Sequence, residues 1–132
     1  MTAPQISLDE AWETLSENPD AVLIDVRTTA EWSFVGIPDL TPLGKNVRTV
    51  EWTTFPSGQP NPQFLEQATE GLAPDQPLLM LCRSGGRSNA AAQLLNASGF
   101  TALNVSAGFE GDLDPDGHRH GGWKDELPWR QS

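Results

Sequence analysis

An unbroken apolar run, Leu78-Leu79-Met80-Leu81, leads directly into Cys82-Arg83-Ser84-Gly85-Gly86-Arg87-Ser88, and an alanine-rich stretch from Asn89 to Ala97 leads out of it. A continuous rather than alternating apolar run suits a strand covered on both faces, as in a parallel sheet. The alanine-rich stretch suits a helix. A buried strand, a glycine turn and a helix in immediate succession leave few architectures open, because parallel strands need a long crossover between them. A second run, Ala21-Val22-Leu23-Ile24-Asp25-Val26, reads as another buried strand of the same type.

The rest of the chain alternates in the same way. Ser7 and Glu10 form a capping box, and Leu8, Ala11, Trp12 and Leu15 follow at helical spacing, which predicts a helix from Leu8 to Glu17. Asn18-Pro19-Asp20 ends it. Thr28 to Phe34 suits a short helix, Val35 to Gly44 a loop, Lys45 to Val50 a strand, Phe55 to Pro62 turns, and Gln63 to Thr69 a helix. Ser88 or Asn89 is the expected cap of the helix after the cysteine, with Gly99 closing it and Ala102 to Val105 as the last strand. Strands alternating with helices predict an α/β domain on a parallel sheet. The length of 132 residues fits one domain spanning the chain, with Phe109 to Ser132 an irregular tail pinned on it by Trp123 and Trp129.

The net charge is -10, with only two lysines, Lys45 and Lys124, which argues against nucleic acid and anionic membranes as partners. Two of the arginines, Arg83 and Arg87, nonetheless sit within the seven residues from Cys82 to Ser88. One cysteine cannot form an internal disulfide. Met1 to Ser7 lack a basic region followed by an apolar core, so no signal peptide is expected, and no run is long enough to span a membrane. A cytoplasmic location is the default expectation, and a domain of this size is expected to stand as a monomer. No cofactor or metal site is expected. His118 and His120 lie near Asp112, Asp114 and Asp116, but there is no second cysteine, and the acids lack the closing glutamate of a calcium loop. A solvated loop is the simpler reading. A sharper one places His118, Arg119 or Trp123 at the mouth of the site, where they would help select an acceptor.

Ligands of open parallel sheets bind beyond the carboxyl ends of the strands, which is where Cys82 would sit. Gly85 and Gly86 would let the backbone turn so that successive N–H groups converge on one centre. The following helix adds its positive end, and Arg87, with Arg83, adds formal charge. All of these favour a thiolate, the nucleophilic form of cysteine. Taken singly, a cysteine after a strand is usually a small core residue and a Gly-Gly pair usually a turn. Packing alone does not call for two arginines beside a cysteine.

The segment Cys82-x-x-Gly85-x-Arg87-Ser88 resembles the active-site loop of the rhodanese family of sulfurtransferases. Ile24-Asp25-Val26-Arg27 with Glu31-Trp32 is similar to that family's Asp-Val-Arg-x-x-x-Glu-aromatic motif. Gly99-Phe100, Val105 to Phe109, Trp123 and Leu127-Pro128 resemble its later segments, so the likeness runs from about Ile6 to Trp129. The chain departs from the family at Gly36, where a histidine is usual, and in a longer loop before Asn46-Val47.

The resemblance implies a rhodanese-like α/β fold: about five strands, mostly parallel, with helices on both faces. It implies that the Cys82 thiolate takes a sulfane sulfur from a small anionic donor such as thiosulfate and passes it, through a persulfide, to a thiol or to cyanide. Arg83 and Arg87 would orient the donor. Ser84 and Ser88 would donate hydroxyl hydrogen bonds, and the N–H groups of Gly85 and Gly86 would hold the outer sulfur. Asp25 and Arg27 would brace the loop rather than react. Two rivals stand beside this reading. A non-catalytic or redox-sensing module of the same family is disfavoured by the intact cysteine and arginines. A related cysteine phosphatase or arsenate reductase would place five residues between cysteine and arginine, whereas four separate Cys82 from Arg87 and Leu81 precedes the cysteine. The shorter loop suits one sulfur atom better than a tetrahedral oxyanion.

Overall fold

A computed structural model describes residues 3–131; Met1, Thr2 and Ser132, which include the last residue of the expected tail, lie outside the described residues. The elements run β1 (Gln5–Ile6), α1 (Leu8–Glu17), β2 (Val22–Asp25), α2 (Thr29–Phe34), β3 (Ile37–Pro38), β4 (Arg48–Thr49), α3 (Phe64–Thr69), β5 (Pro77–Leu81), α4 (Gly86–Ala97) and β6 (Thr101–Val105). After these come β7 (Gly111–Leu113), β8 (Arg119–Gly121), α5 (Trp123–Glu126) and β9 (Trp129–Arg130).

The central sheet has five strands in the order β1-β6-β5-β2-β4, and each neighbouring pair is parallel. β5 therefore lies in the middle, with both faces covered. Alternate residues serve the two faces. Leu78, Met80 and Cys82 pack with Phe64 and Ala68 of α3 and with Ala91, Ala92 and Leu95 of α4. Leu79 and Leu81 pack with Leu8, Ala11 and Leu15 of α1 and with Trp123 of α5. This two-sided burial explains why the β5 run is continuously apolar. It also sends the Cys82 side chain toward the α4 face, behind which that helix begins.

The expected capping box is present: Ser7 Oγ accepts from the Glu10 N–H at 3.1 Å, and Glu10 Oε1 accepts from the Ser7 N–H at 2.9 Å. α1 accordingly spans the predicted residues. The strand expected over Lys45 to Val50 shortens to Arg48–Thr49, because only two residues register against Ile24 and Asp25 at the sheet edge. The helix after the cysteine starts earlier than expected. Its cap is Gly85, not Ser88 or Asn89. Ser88 is drawn into the first turn because its hydroxyl faces inward to buried partners.

The segment beyond Phe109 is more regular than an irregular tail. β7 and β8 form an antiparallel hairpin, and β9 pairs antiparallel with β3. Trp123 pins the segment as expected: it is fully buried, meets Trp12 edge-on with centroids 6.0 Å apart, and donates from Nε1 to Pro128 O at 2.8 Å. Trp129 is 36% exposed and contributes by covering Gly36, where an added Cβ would stand 2.7 Å from its ring. That close approach, with φ at +117°, accounts for glycine where the family usually carries histidine. Trp12, Trp32 and Trp52 are half-buried packing residues.

Candidate active site

Cys82 follows the last residue of β5 and is 1% exposed. Its Sγ accepts from the Gly85 N–H at 3.1 Å and from the Ser88 hydroxyl at 3.3 Å. The backbone reaches this position because Gly85 adopts φ +99°, and a Cβ there would meet Ser106 O at 2.5 Å. Only Gly85 carries that requirement. Gly86 is the first residue of α4 with open space around it, so the expectation that both glycines shape the turn is corrected. With α4 starting at Gly86, the helix's positive end faces the sulfur.

The loop is clamped from the following segment. Phe109 N–H donates to Cys82 O at 2.7 Å, and Glu110 and Gly111 both donate to Arg83 O, at 3.0 and 3.2 Å. The Arg83 residue is exposed and lines a groove of about 580 Å³ with Glu110, His118, Arg119, Lys124 and Asp125. His118 and Arg119 thus share a groove with the cysteine loop, while Trp123 lies in the core. Ser84 is half-buried.

Arg87 points to Glu31. Its Nη1 and Nη2 donate to the two carboxylate oxygens at 2.7 and 3.0 Å. Burial pushes the Glu31 carboxyl up, but the bonds and charge of Arg87, together with Thr28, outweigh it and hold it below its ordinary value. Glu31 in turn raises the Arg87 guanidinium against burial, and the charges of Cys82 and Asp25 add to this. Glu31 also closes a capping box on Thr28 at the start of α2, so that helix and the arginine are tied together.

Asp25 and Arg27 are both fully buried at the end of β2, next to β5. Arg27 Nη2 donates to Asp25 Oδ2 and to Gly36 O, each at 2.7 Å, and Nε donates to Asp25 Oδ1 at 3.0 Å. The guanidinium lies over the Phe109 ring, 4.1 Å from its centroid. Phe109 is the residue that bonds Cys82 O, so the ion pair abuts the loop through that ring.

One site residue escapes sequence reasoning altogether. Asn104, 2% exposed on β6, places Oδ1 2.5 Å from the Ser88 hydroxyl, and its Nδ2 donates to Gly85 O at 3.1 Å and to Gln5 Oε1 at 2.8 Å. No spacing signal links residues so far apart in the chain. Glu31 is legible in the sequence twice over, in the motif that joins it to Asp25-Val26-Arg27 and in Thr28-x-x-Glu31, a capping-box pattern; its bond to Arg87 is not.

A cysteine-bearing loop lies between a central parallel strand and a helix N-terminus, with a buried aspartate–arginine pair beside it at the end of the adjacent strand. A sequence model of the rhodanese-like domain matches residues 7–113, and the chain belongs to that family. Trp123 and Leu127-Pro128 lie beyond the matched residues. The chain is similar to an uncharacterized protein of Rickettsia conorii, 36% identical over 132 residues that cover 98% of this chain and 99% of that protein. It is similar in structure to a crystallised M. tuberculosis protein, 49% identical, with full coverage of both chains and a TM-score of 0.90. It is also similar to the polysulfide-sulfur transferase homodimer of Wolinella succinogenes, 28% identical over 97% of this chain and 78% of that one, with a TM-score of 0.65. The family and its sulfurtransferase neighbours place the chain with sulfurtransferase-type proteins. Among the described residues, no helix is long and apolar enough to cross a membrane.

Proposed function

We propose that the protein is a sulfurtransferase working through a persulfide on Cys82. The observation that carries this is the pair of hydrogen bonds to Cys82 Sγ, from Gly85 N–H and the Ser88 hydroxyl, at the N-terminus of α4. Donors aimed at sulfur stabilise a thiolate, and the same cradle stabilises the charge on a terminal persulfide sulfur.

The thiolate attacks the sulfane sulfur of thiosulfate. A Cys82–sulfur bond forms, the donor's S–S bond breaks, and its electron pair leaves with sulfite. A thiolate or cyanide then attacks the outer sulfur, and Cys82 departs as the thiolate. Cys82 is 1% exposed, which favours a donor presenting a single slim sulfur atom. Polysulfide, the substrate class named for the Wolinella relative, meets the same requirement. Arg83, exposed at the loop, is the residue suited to meet an anionic donor, while Arg87 acts through its bond to Glu31. The reading takes the protein as a monomer acting on small anions and thiols, with neither nucleic acid nor membrane as partner. A free, reactive thiol suits a reducing, cytoplasmic setting.

Intact mass after incubation with thiosulfate tests the proposal. The expected result is an adduct of one sulfur, removed by cyanide and absent from Cys82→Ser. An unmodified protein that hydrolyses an aryl phosphate would reverse it in favour of phosphatase chemistry, and an unmodified, inactive protein would leave a binding module.

A further inference from the structure

We propose that Asn104 competes with Cys82 for the single hydroxyl proton of Ser88, making Asn104 a positioning residue for the sulfur. The inference rests on the reading of Cys82 as the nucleophile.

The geometry confines Ser88 to two partners. Its Oγ lies 2.5 Å from Asn104 Oδ1 and 3.3 Å from Cys82 Sγ, and both Ser88 and Asn104 are buried. A hydroxyl carries one proton and so donates to only one of them at a time. The orientation of the Asn104 amide follows from its other neighbours. Gly85 O only accepts, so the Asn104 atom facing it must be Nδ2, and Nδ2 spends its second hydrogen on Gln5 Oε1. Gln5 is held in turn, with Nε2 donating to Ala3 O at 2.7 Å and to Asn89 Oδ1 at 2.9 Å. Oδ1 is thereby fixed as a bare acceptor aimed at Ser88.

Two arrangements result. With Cys82 as a thiol, the S–H donates to Ser88 Oγ and the Ser88 hydroxyl donates to Asn104, so every group is satisfied. With Cys82 as a thiolate, the hydroxyl turns to sulfur and Asn104 Oδ1 loses its partner in a buried place, which is costly. The proton never leaves Ser88; only the rotor moves. Asn104 therefore holds back the thiolate that the Gly85 N–H and α4 favour. When sulfur transfer converts the thiolate to a persulfide and charge moves to the outer atom, the hydroxyl is free to return to Asn104.

The charged groups around the cysteine are Arg87 with its partner Glu31, the Asp25–Arg27 pair at the end of β2, and exposed Arg83. None bonds Ser88 or Asn104, so substitutions at those two positions leave the local charges unchanged. In Asn104→Leu, Gly85 O keeps the Asn89 N–H at 3.1 Å, so the turn retains a backbone bond.

The test is the pH profile of Cys82 alkylation by iodoacetamide, measured without any sulfur donor on the wild-type chain, Asn104→Leu, Ser88→Ala and the double variant. Asn104→Leu is expected to lower the pH midpoint by about half a unit to one unit, and Ser88→Ala to raise it by a similar amount. In the Ser88→Ala background, Asn104→Leu is expected to shift nothing, because no proton remains to compete for. Should Asn104→Leu not fold, Asn104→Ala, which likewise offers Ser88 no acceptor, carries the same expectation. A midpoint that rises on Asn104 substitution, or the same shift with and without Ser88, would overturn the proposal. Alkylation needs no sulfur transfer, so the two readings fail separately. Absent thiosulfate adducts with the expected midpoint shifts would refute the sulfurtransferase, whereas normal adducts with unmoved midpoints would refute the Asn104 role.

Discussion

Replacing Asp25 with alanine should be among the most damaging single changes in this chain, and removing Arg27 as well should undo part of the damage. Both side chains are fully buried. Without Asp25, the guanidinium loses its bonds from Nε and Nη2 to the carboxylate and keeps only the Nη2 bond to Gly36 O. Nη1 already lacks a partner. An uncompensated buried charge costs about 3–5 kcal/mol, a large share of the roughly 5–15 kcal/mol that holds a domain together. At about 3–5 °C per kcal/mol for a chain of this length, the midpoint of thermal unfolding should fall by roughly 10–25 °C. Arg27→Met alone strands the carboxylate at a similar cost of about 3–5 kcal/mol. The double variant strands neither charge, and methionine keeps apolar contact with the Phe109 ring, so its loss should be smaller than the sum of the singles by at least about 2 kcal/mol. Urea unfolding at neutral pH on all four proteins measures this, with a constant m-value required for the comparison. If Asp25→Ala does not fold, Asp25→Asn, which removes the charge but keeps an acceptor, takes its place in the cycle. Additivity within about 0.5 kcal/mol, or a loss below about 1 kcal/mol for Asp25→Ala, would refute the reasoning.

Two further predictions concern the loop itself. Glu31→Gln keeps the helix cap but removes the charge facing Arg87; because the pair is 29% and 20% exposed, it should cost only about 0.5–1 kcal/mol at neutral pH. The Glu31 carboxyl is held below its ordinary value of 4.5, so its contribution is present above that pH and is lost as pH falls through the lower folded value. Urea unfolding should therefore show the cost shrinking as the pH is lowered below 4.5, and an undiminished cost in acid would show that the Glu31 charge contributes nothing to the pair. Gly85→Ala should lose about 2–3 kcal/mol and disturb Cys82 alkylation, since a Cβ at φ +99° meets Ser106 O at 2.5 Å. Gly86→Ala, in open space at the start of α4, should be neutral or gain about 0.5 kcal/mol, and equal losses at the two glycines in thermal unfolding would contradict the assignment of the turn to Gly85.

The elements most legible in the sequence are those whose signal is local. The Leu78–Leu81 run and the Ser7/Glu10 box foretell β5 and α1 because burial on two faces and reciprocal capping each leave a mark within a few residues. The hairpin of β7 and β8 leaves no such mark. Asp112 and Leu113 are exposed, so no apolar alternation betrays a strand, and the pairing is made by backbone bonds. The serine preference at caps points to Ser88 as the start of α4, and it is overridden here because Ser88 is turned inward to Cys82 and Asn104.

By itself the sequence determined the chemistry available: one thiol, at the end of a buried strand, before a glycine turn and a helix start, in the pattern of the rhodanese loop. Asp25 and Arg27 enter the sequence reading through the resemblance, as braces for the loop, and the structure bonds Arg27 to Asp25 and to Gly36 O. Only the tertiary structure decided how the charges and protons are shared. Arg87 faces Glu31, Arg27 meets Gly36 and Phe109, and Asn104 arrives from β6 to confront Ser88. These contacts join residues distant along the chain, and they depend on register and side-chain direction across the assembled sheet, which no single segment specifies.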